Sequence, residues 1–182
     1  MTFIDLVKKR KSVRKYSDKP VPREVIDQCL EAARLAPSAC NSQPWSFIVI
    51  DNPEVKNDIV RQSMSGIYKL NTFVGEAPVI IAAITERSRY VARLGGLIRN
   101  VKYNLIDIGI ACDHLTLQAE ELGVGTCWLG WFHEKKVKKI LDLPKSTHID
   151  ILISMGYPVQ SPEDTQSKEK NRRSLDDIRR YY

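Results

Sequence analysis

The chain has 182 residues, 43% of them hydrophobic. That is enough for one domain with a sizeable core, and it removes the need for a structural metal or disulfide framework. The formal charge of +6, from 28 Lys and Arg against 22 Asp and Glu, suits nucleic acid, an acidic membrane or a phosphate-bearing small molecule, so the placement of charge matters more than its sum.

In chain order, Thr2 and Asp5 predict the cap of a first helix, with Phe3, Leu6 and Val7 on its apolar face and Lys8 to Arg10 at its C-terminal end. After the loop KSVRKYSDKPVP, Pro22 opens a second helix over 23–35, with Val25, Ile26, Cys29, Leu30 and Ala33 inward. PSACNSQPW is dense in turn formers and reads as a loop. A short strand follows over 47–50, then a helix over 54–62 behind Pro53. Residues 63–75 carry no assignable pattern. APVIIAAI, 77–84, is apolar throughout and reads as a buried strand. Residues 85–96 are polar and basic and predict a loop or short helix.

The longest feature runs from Ile98 to Leu122. Ile98, Val101, Leu105, Ile108, Cys112, Leu115, Ala119 and Leu122 fall at steps of three and four, on one helical side. Tyr103, Ile106, Ile110 and Leu117 fill much of the other side, and Gly109 and Ala111 leave room for another backbone. A helix apolar on most of its circumference is covered from several directions. At about 1.5 Å per residue this one would run roughly 38 Å, so the expectation is that a second subunit covers part of it. Asp107 and Asp113 rule it out as a membrane span. Gly123 and Gly125 close the helix. TCWLGWF follows as a strand and turn, then a charged helix over 134–141 and a buried strand over 149–155. The tail, 161–182, is highly polar and is expected to dock on a partner subunit. Strands and helices mix without strict βαβ alternation. The fold class is therefore α+β: one domain over 1–182 with a central mixed sheet flanked by helices.

Little of the chemistry is conventional. Cys29, Cys40, Cys112 and Cys127 contain no CxxC pair, and His114, His133 and His148 have no metal-type spacing, so no metal is expected. The opening MTFIDLVKKRKS has no apolar run long enough for a signal peptide, and a reducing, cytoplasmic setting is the expectation. No GxGxxG follows a strand, and no nucleophile–base arrangement is evident. Arg10, Ser12 and Arg14 offer two guanidinium forks around a hydroxyl, a set suited to a phosphate; basic residues also complement a helix C-terminus without binding anything. Ser38, Asn41, Ser42 and Gln43, held between prolines, could read the edge of a heterocycle, while Trp45 anchors the loop in the core. Gly130, beside aromatics, could let backbone N–H groups approach a planar ligand, or simply form a tight turn.

Taken together, RKSVRKY, APSACNSQPW, CWLGWF after the long apolar helix, and a late RRSL resemble the nitroreductase family of FMN-dependent oxidoreductases along nearly the whole chain. The resemblance implies a homodimer with exchanged termini and FMN sites at the interface. It implies that Arg10, Ser12 and Arg14, with Lys11, hold the FMN phosphate and ribityl chain, and that Arg172 and Arg173 close on the phosphate from the tail. Pro37, Ser38, Ala39 and Asn41 would come from the other subunit to the flavin ring. Leu129 and Gly130 would lie along the ring with a backbone N–H near flavin N5. Asn71 would match an asparagine on the pyrimidine edge. Larger members of the family often carry an acid where Leu129 stands, which puts any contact made by that acid in question. The implied activity is ping-pong reduction of nitroaromatics, quinones or similar electron-poor acceptors by NADH or NADPH, with no catalytic side chain beyond the flavin-facing backbone. Flavin breakdown or reductive dehalogenation are alternatives on the same fold. A basic nucleic-acid-binding dimer is a third, disfavoured because Trp45, Trp128 and Trp131 do not interleave with the basic runs.

Overall fold

The computed structural model describes residues 1–86, 101–159 and 170–182. Four strands form one sheet: β1 (Trp45–Ile50), β2 (Val79–Thr85), β3 (Gly125–Leu129) and β4 (Ile149–Gly156). Their order is β1-β2-β4-β3 and every pairing is antiparallel. The mixed character expected of the sheet is confined, among the described residues, to a single parallel bridge from Ser12 to Thr126.

Helices cover both faces. On one face lie α2 (Arg23–Arg34) and α4 (Tyr103–Glu121); on the other lie α3 (Pro53–Ser63), α5 (Glu134–Ile140) and a 3₁₀ run, Gly66–Glu76. This explains why β2 is apolar at every position but its last. Val79, Ile81 and Ala83 meet α2 and α4, while Ile80, Ala82 and Ile84 join Ile59 of α3 and Val137 of α5. A strand alternates its side chains between faces, so burial on both sides removes the polar half of the pattern.

The first helix, α1 (Phe3–Lys9), has the predicted capping box between Thr2 and Asp5. Its apolar face is uncovered in the single chain: Phe3 is 70% and Ile4 58% exposed. The stretch 66–76, where no sequence pattern stands out, is the 3₁₀ run. The expected strand at 77–84 runs instead over 79–85.

The long helix is shorter than its apolar periodicity suggests. Lys102, at φ −90° and ψ 75°, is outside the helical region, so α4 begins at Tyr103 and ends at Glu121. Ile98 and the rest of 87–100, including most of the expected 85–96 loop, lie outside the described residues. Ile108, Cys112, Leu115 and Ala119 are buried as expected, whereas Leu105 and Ile106 in the first turn are about half exposed. Gly123 ends the helix in a left-handed conformation, φ 75°. Gly125 does not take part in that ending. It is the first residue of β3, and a Cβ there would come within 2.5 Å of Val13 Cγ2.

Candidate functional site

β3 is a sheet edge, and the segment Arg10–Tyr16 lies along it. The Val13 N–H donates to the Thr126 carbonyl at 2.9 Å. Val13 and Tyr16 point inward, at 6% and 5% exposure, and form a small core with Ala77. Two glycines admit them: Gly125 beneath Val13, and Gly156, where a Cβ would meet Pro78 Cδ at 2.5 Å and Tyr16 Cδ1 at 2.9 Å. Inward anchors at 13 and 16 leave Lys11, Ser12 and Arg14 exposed and Arg10 half-buried.

The cations of this strap gather around one place. The Arg14 guanidinium sits 5.9 Å from the Phe73 ring centroid. The Cys127 thiol is pushed up by burial, and the charge of Arg14, a hydrogen bond with Ser12 and the charge of Arg10 each oppose that shift, so the strap's charges are felt at the middle of β3. From the tail, Lys170 Nζ donates to the Val7 and Arg10 carbonyls. Burial lowers the Lys170 ammonium pKa, and Arg10 and Arg172 lower it further. Like charges thus converge from both ends of the chain. Glu120, an acid close enough to Lys170 to oppose that shift, pairs with Lys9 at 3.4 Å. Among the described residues, no ion pair neutralises Arg10, Arg14 or Arg172. Unneutralised guanidinium groups crowded together fit a phosphate dianion. Arg173 is placed differently: its guanidinium donates to the Asp177 carbonyl within the tail, at 2.7 Å.

The same edge leads to the Gly130 turn. Leu129 is 2% exposed and its side chain belongs to the core, so only its backbone is available to a ligand; Gly130 is exposed. Asn71 is brought to this turn. Its Nδ2 donates to the Trp131 carbonyl at 2.6 Å, and Trp131 Nε1 donates to the Ile67 carbonyl at 3.0 Å. The 3₁₀ run and the turn are therefore latched together. The phosphate-type cations, Phe73, Asn71 and the Gly130 backbone share one side of the molecule, a fit for a group with an anionic end and a planar end.

The loop Pro37–Asn41 stands apart. Among the described residues, no hydrogen bond or ion pair joins it to Arg10, Ser12 or Arg14. It is nonetheless a built structure. Cys40, Asn41 and Gln43 all have positive φ, between 44° and 54°, a conformation that costs non-glycine residues energy unless neighbours enforce it. The enforcing bonds are Gln43 N–H to Ser38 Oγ, 2.9 Å, Ser42 Oγ to the Ala39 carbonyl, 2.6 Å, and Gln43 Nε2 to Asn41 Oδ1, 3.1 Å. The Ala39 N–H donates to Asp107 Oδ1 of α4 at 3.0 Å. Asp107 is 2% exposed, its Oδ2 has no hydrogen-bond partner among the described residues, and burial raises its carboxyl above the usual range despite the Ala39 bond. Cys40 and Asn41 are both exposed to solvent, Trp45 packs partly buried on the core, and all four cysteines are free.

Lys170, Asp107, Tyr16 and Ser154 do not stand out as functional residues in the sequence. Lys170 sits inside a charge run, and Asp107 offers one signal, an acid within the apolar first half of α4. Among the described residues, no cluster of His, Cys, Asp and Glu could hold a metal ion, and no helix is long and apolar enough to cross a membrane.

The fold is an antiparallel sheet with helices on both faces, and the cationic strap and the Gly130 turn lie at its β3 edge. The Nitroreductase family model matches residues 7–72 and 68–157, so the chain belongs to that family. The FMN-dependent nitroreductase of Clostridium difficile R20291 superimposes with a TM-score of 0.76 at 28% identity, over 99% of this chain and 98% of that one. The NADH dehydrogenase of Thermus thermophilus is 29% identical over 84% of each chain. The iodotyrosine deiodinase 1 of Rattus norvegicus is 27% identical over 97% of this chain and 68% of its own length. The chain is thus an enzyme of the nitroreductase family, with an α+β nitroreductase fold.

Proposed function

We propose that the protein is an FMN-dependent oxidoreductase that takes electrons from NADH or NADPH and passes them to nitroaromatic, quinone or similar electron-poor acceptors. The observation that carries this reading is the gathering of Arg10, Arg14 and Arg172, without ion-pair partners among the described residues, around Lys170 on the side of the molecule that also exposes the Gly130 backbone. FMN, when bound, would supply reversible two-electron chemistry; the protein supplies binding, orientation and exclusion of competing reactions.

In this reading Arg10, Ser12 and Arg14, with Lys11 and Arg172, hold the phosphate. Arg173 holds its own tail turn and joins the phosphate only if the tail rearranges. The Gly130 backbone donates toward the ring, and Asn71, latched to Trp131, fixes that backbone in place. The strained loop of Pro37, Ser38, Ala39 and Asn41 meets the ring from a second subunit. Three features support a homodimer: the uncovered face of α1, the half-exposed first turn of α4, and the separation of this loop from the strap's hydrogen-bond network.

The rat deiodinase relative favours a second reading, reductive dehalogenation of a halogenated aromatic. One experiment tests both. The purified protein is examined for flavin absorbance. Its reduction by NADH and by NADPH is followed anaerobically, and reoxidation is measured with a nitroaromatic, a quinone and a halotyrosine. A colourless protein that does not take up added FMN refutes the proposal. Reoxidation by the halotyrosine alone replaces the first reading with the second.

A further inference from the structure

Val13 anchors the middle of the cationic strap, while the Lys15 carbonyl, accepting from the Val159 N–H at 3.2 Å, anchors its far end. Val13 lies between Ser12 and Arg14, and both its backbone groups are engaged: its N–H with the Thr126 carbonyl at 2.9 Å, and its C=O with the Tyr16 hydroxyl at 2.7 Å. Tyr16 has a single hydroxyl proton, and Val13 receives it. Ser154 Oγ, 2.8 Å from Tyr16 Oη, must then be the donor in that pair. Ser154 is fully buried in β4, directly across from Cys127 of β3, whose carbonyl lies 3.4 Å from the same serine hydroxyl. The chain of bonds therefore runs from β4 through Ser154 and Tyr16 to the peptide that separates the two proposed phosphate ligands. It continues along the strap, where the Arg14 guanidinium bonds the Ser12 carbonyl at 3.4 Å. Burial raises the Tyr16 hydroxyl's pKa far above its ordinary value, so it remains a donor throughout the physiological range.

We propose that Tyr16, backed by Ser154, is a positioning residue that orients Ser12 and Arg14 toward the cofactor phosphate through the Val13 carbonyl. It touches no ligand itself. The inference rests on the FMN reading above and adds to it a pair of buried hydroxyls that sets phosphate affinity. Fixing a charged fork in its bound orientation before the ligand arrives removes part of the ordering cost of binding. Releasing the Val13 carbonyl loosens the strap between its Thr126 bond and its Lys15–Val159 bond, the stretch that carries Arg14, and that loss falls on the phosphate end of the ligand alone.

The test compares dissociation constants of FMN and riboflavin, which differ only in the phosphate, for the wild type, Tyr16→Phe, Ser154→Ala, Arg14→Ala and the Tyr16→Phe/Arg14→Ala double variant. Tyr16→Phe should weaken FMN about 5- to 10-fold, the effect of one neutral hydrogen bond, and change riboflavin less than about 2-fold. Ser154→Ala should act in the same direction and more weakly, and it answers the question if Tyr16→Phe fails to fold. The double variant should lose less FMN affinity than the two single losses combined, because Tyr16 acts in part through Arg14; fully additive losses overturn the proposal. A purely structural role would weaken both flavins together, and that result overturns the proposal. A wild type that prefers FMN over riboflavin by a margin Tyr16→Phe and Ser154→Ala fully retain also overturns it, leaving the FMN reading intact. A wild type with no preference for FMN overturns both.

Discussion

At the scale of single residues, two side chains lead to sharp expectations. Arg10 lies where Lys170 and Arg172 repel one another and no ion pair among the described residues offsets it. Arg10→Ala should cost FMN binding on the order of 2 kcal/mol, the usual worth of a charge-assisted bond in a partly buried site, or roughly thirtyfold in affinity. Riboflavin affinity, read by fluorescence quenching, should not change; equal FMN affinity in variant and parent would falsify the phosphate assignment. Asp107 makes an expectation about pH. Its folded-state pKa is raised by burial, so the native protein holds that proton more tightly than the unfolded chain. Stability is then lost as pH climbs from the ordinary carboxylate value through the raised one. Asp107→Asn keeps an oxygen for the Ala39 N–H and carries no charge. Relative to wild type, the variant should gain melting temperature between acidic and neutral pH, measured by calorimetry across that window. A constant difference at all pH values would show that Asp107 keeps an ordinary pKa.

At the scale of elements, the strap depends on what lies under it. The missing side chain at Gly125 is the space Val13 occupies, with 2.5 Å left to a hypothetical Cβ. Gly125→Ala should push the strap off the edge of β3, at a cost of about 1–3 kcal/mol for overpacking, read as a lower midpoint in urea unfolding. FMN binding should weaken with it, since Ser12 and Arg14 travel with Val13. Gly109 is the contrast: it lies in mid-helix, and in the single chain a Cβ added there would meet no atom within 4 Å. In isolation Gly109→Ala would stabilise α4 by about 0.5–1 kcal/mol. If a partner backbone packs there, the same change should weaken the dimer. The expected result is a raised dissociation constant in sedimentation; a tighter or unchanged dimer would place the interface elsewhere.

For the whole molecule, the strap and the strained loop matter together. They carry the two halves of the proposed site, and no hydrogen bond or ion pair among the described residues links Arg10, Ser12 or Arg14 to Ser38 or Asn41 within one chain. A homodimer with two shared sites accounts for this, and it would also cover apolar surface on α1 and α4, a gain of roughly 25 cal/mol per Å². A chain carrying Arg10→Ala and Arg14→Ala, refolded with a chain carrying Ser38→Ala and Asn41→Ala, should form heterodimers with one fully lesioned site and one intact site. Flavin and activity should return to the mixture though neither parent has them. Heterodimers shown to form without recovery would mean that each site lies within one chain. Bound FMN should also raise the dimer's stability, because it binds the assembled state.

The sequence by itself determined whatever is local. The Thr2–Asp5 capping box, the Pro53 start of α3, the buried strands and the apolar face of α4 all follow from neighbours a few residues apart, and each stands in the structure. The family, too, is legible, because its motifs are short runs of residues. Tertiary structure alone decided the rest. The start of α4 at Tyr103 is invisible in the sequence, since apolar spacing continues past a backbone that leaves the helical region at Lys102. Gly125 looks like a helix stop; its purpose comes from Val13, far away in the chain. Arg172 and Arg173 are indistinguishable as neighbours in a polar tail, yet one approaches Lys170 and the other turns back to Asp177. Leu129 can be read as a ring contact until its register in β3 sends its side chain into the core. In each case the deciding interaction is a contact between distant segments or a direction imposed by the folded backbone, and local spacing carries neither.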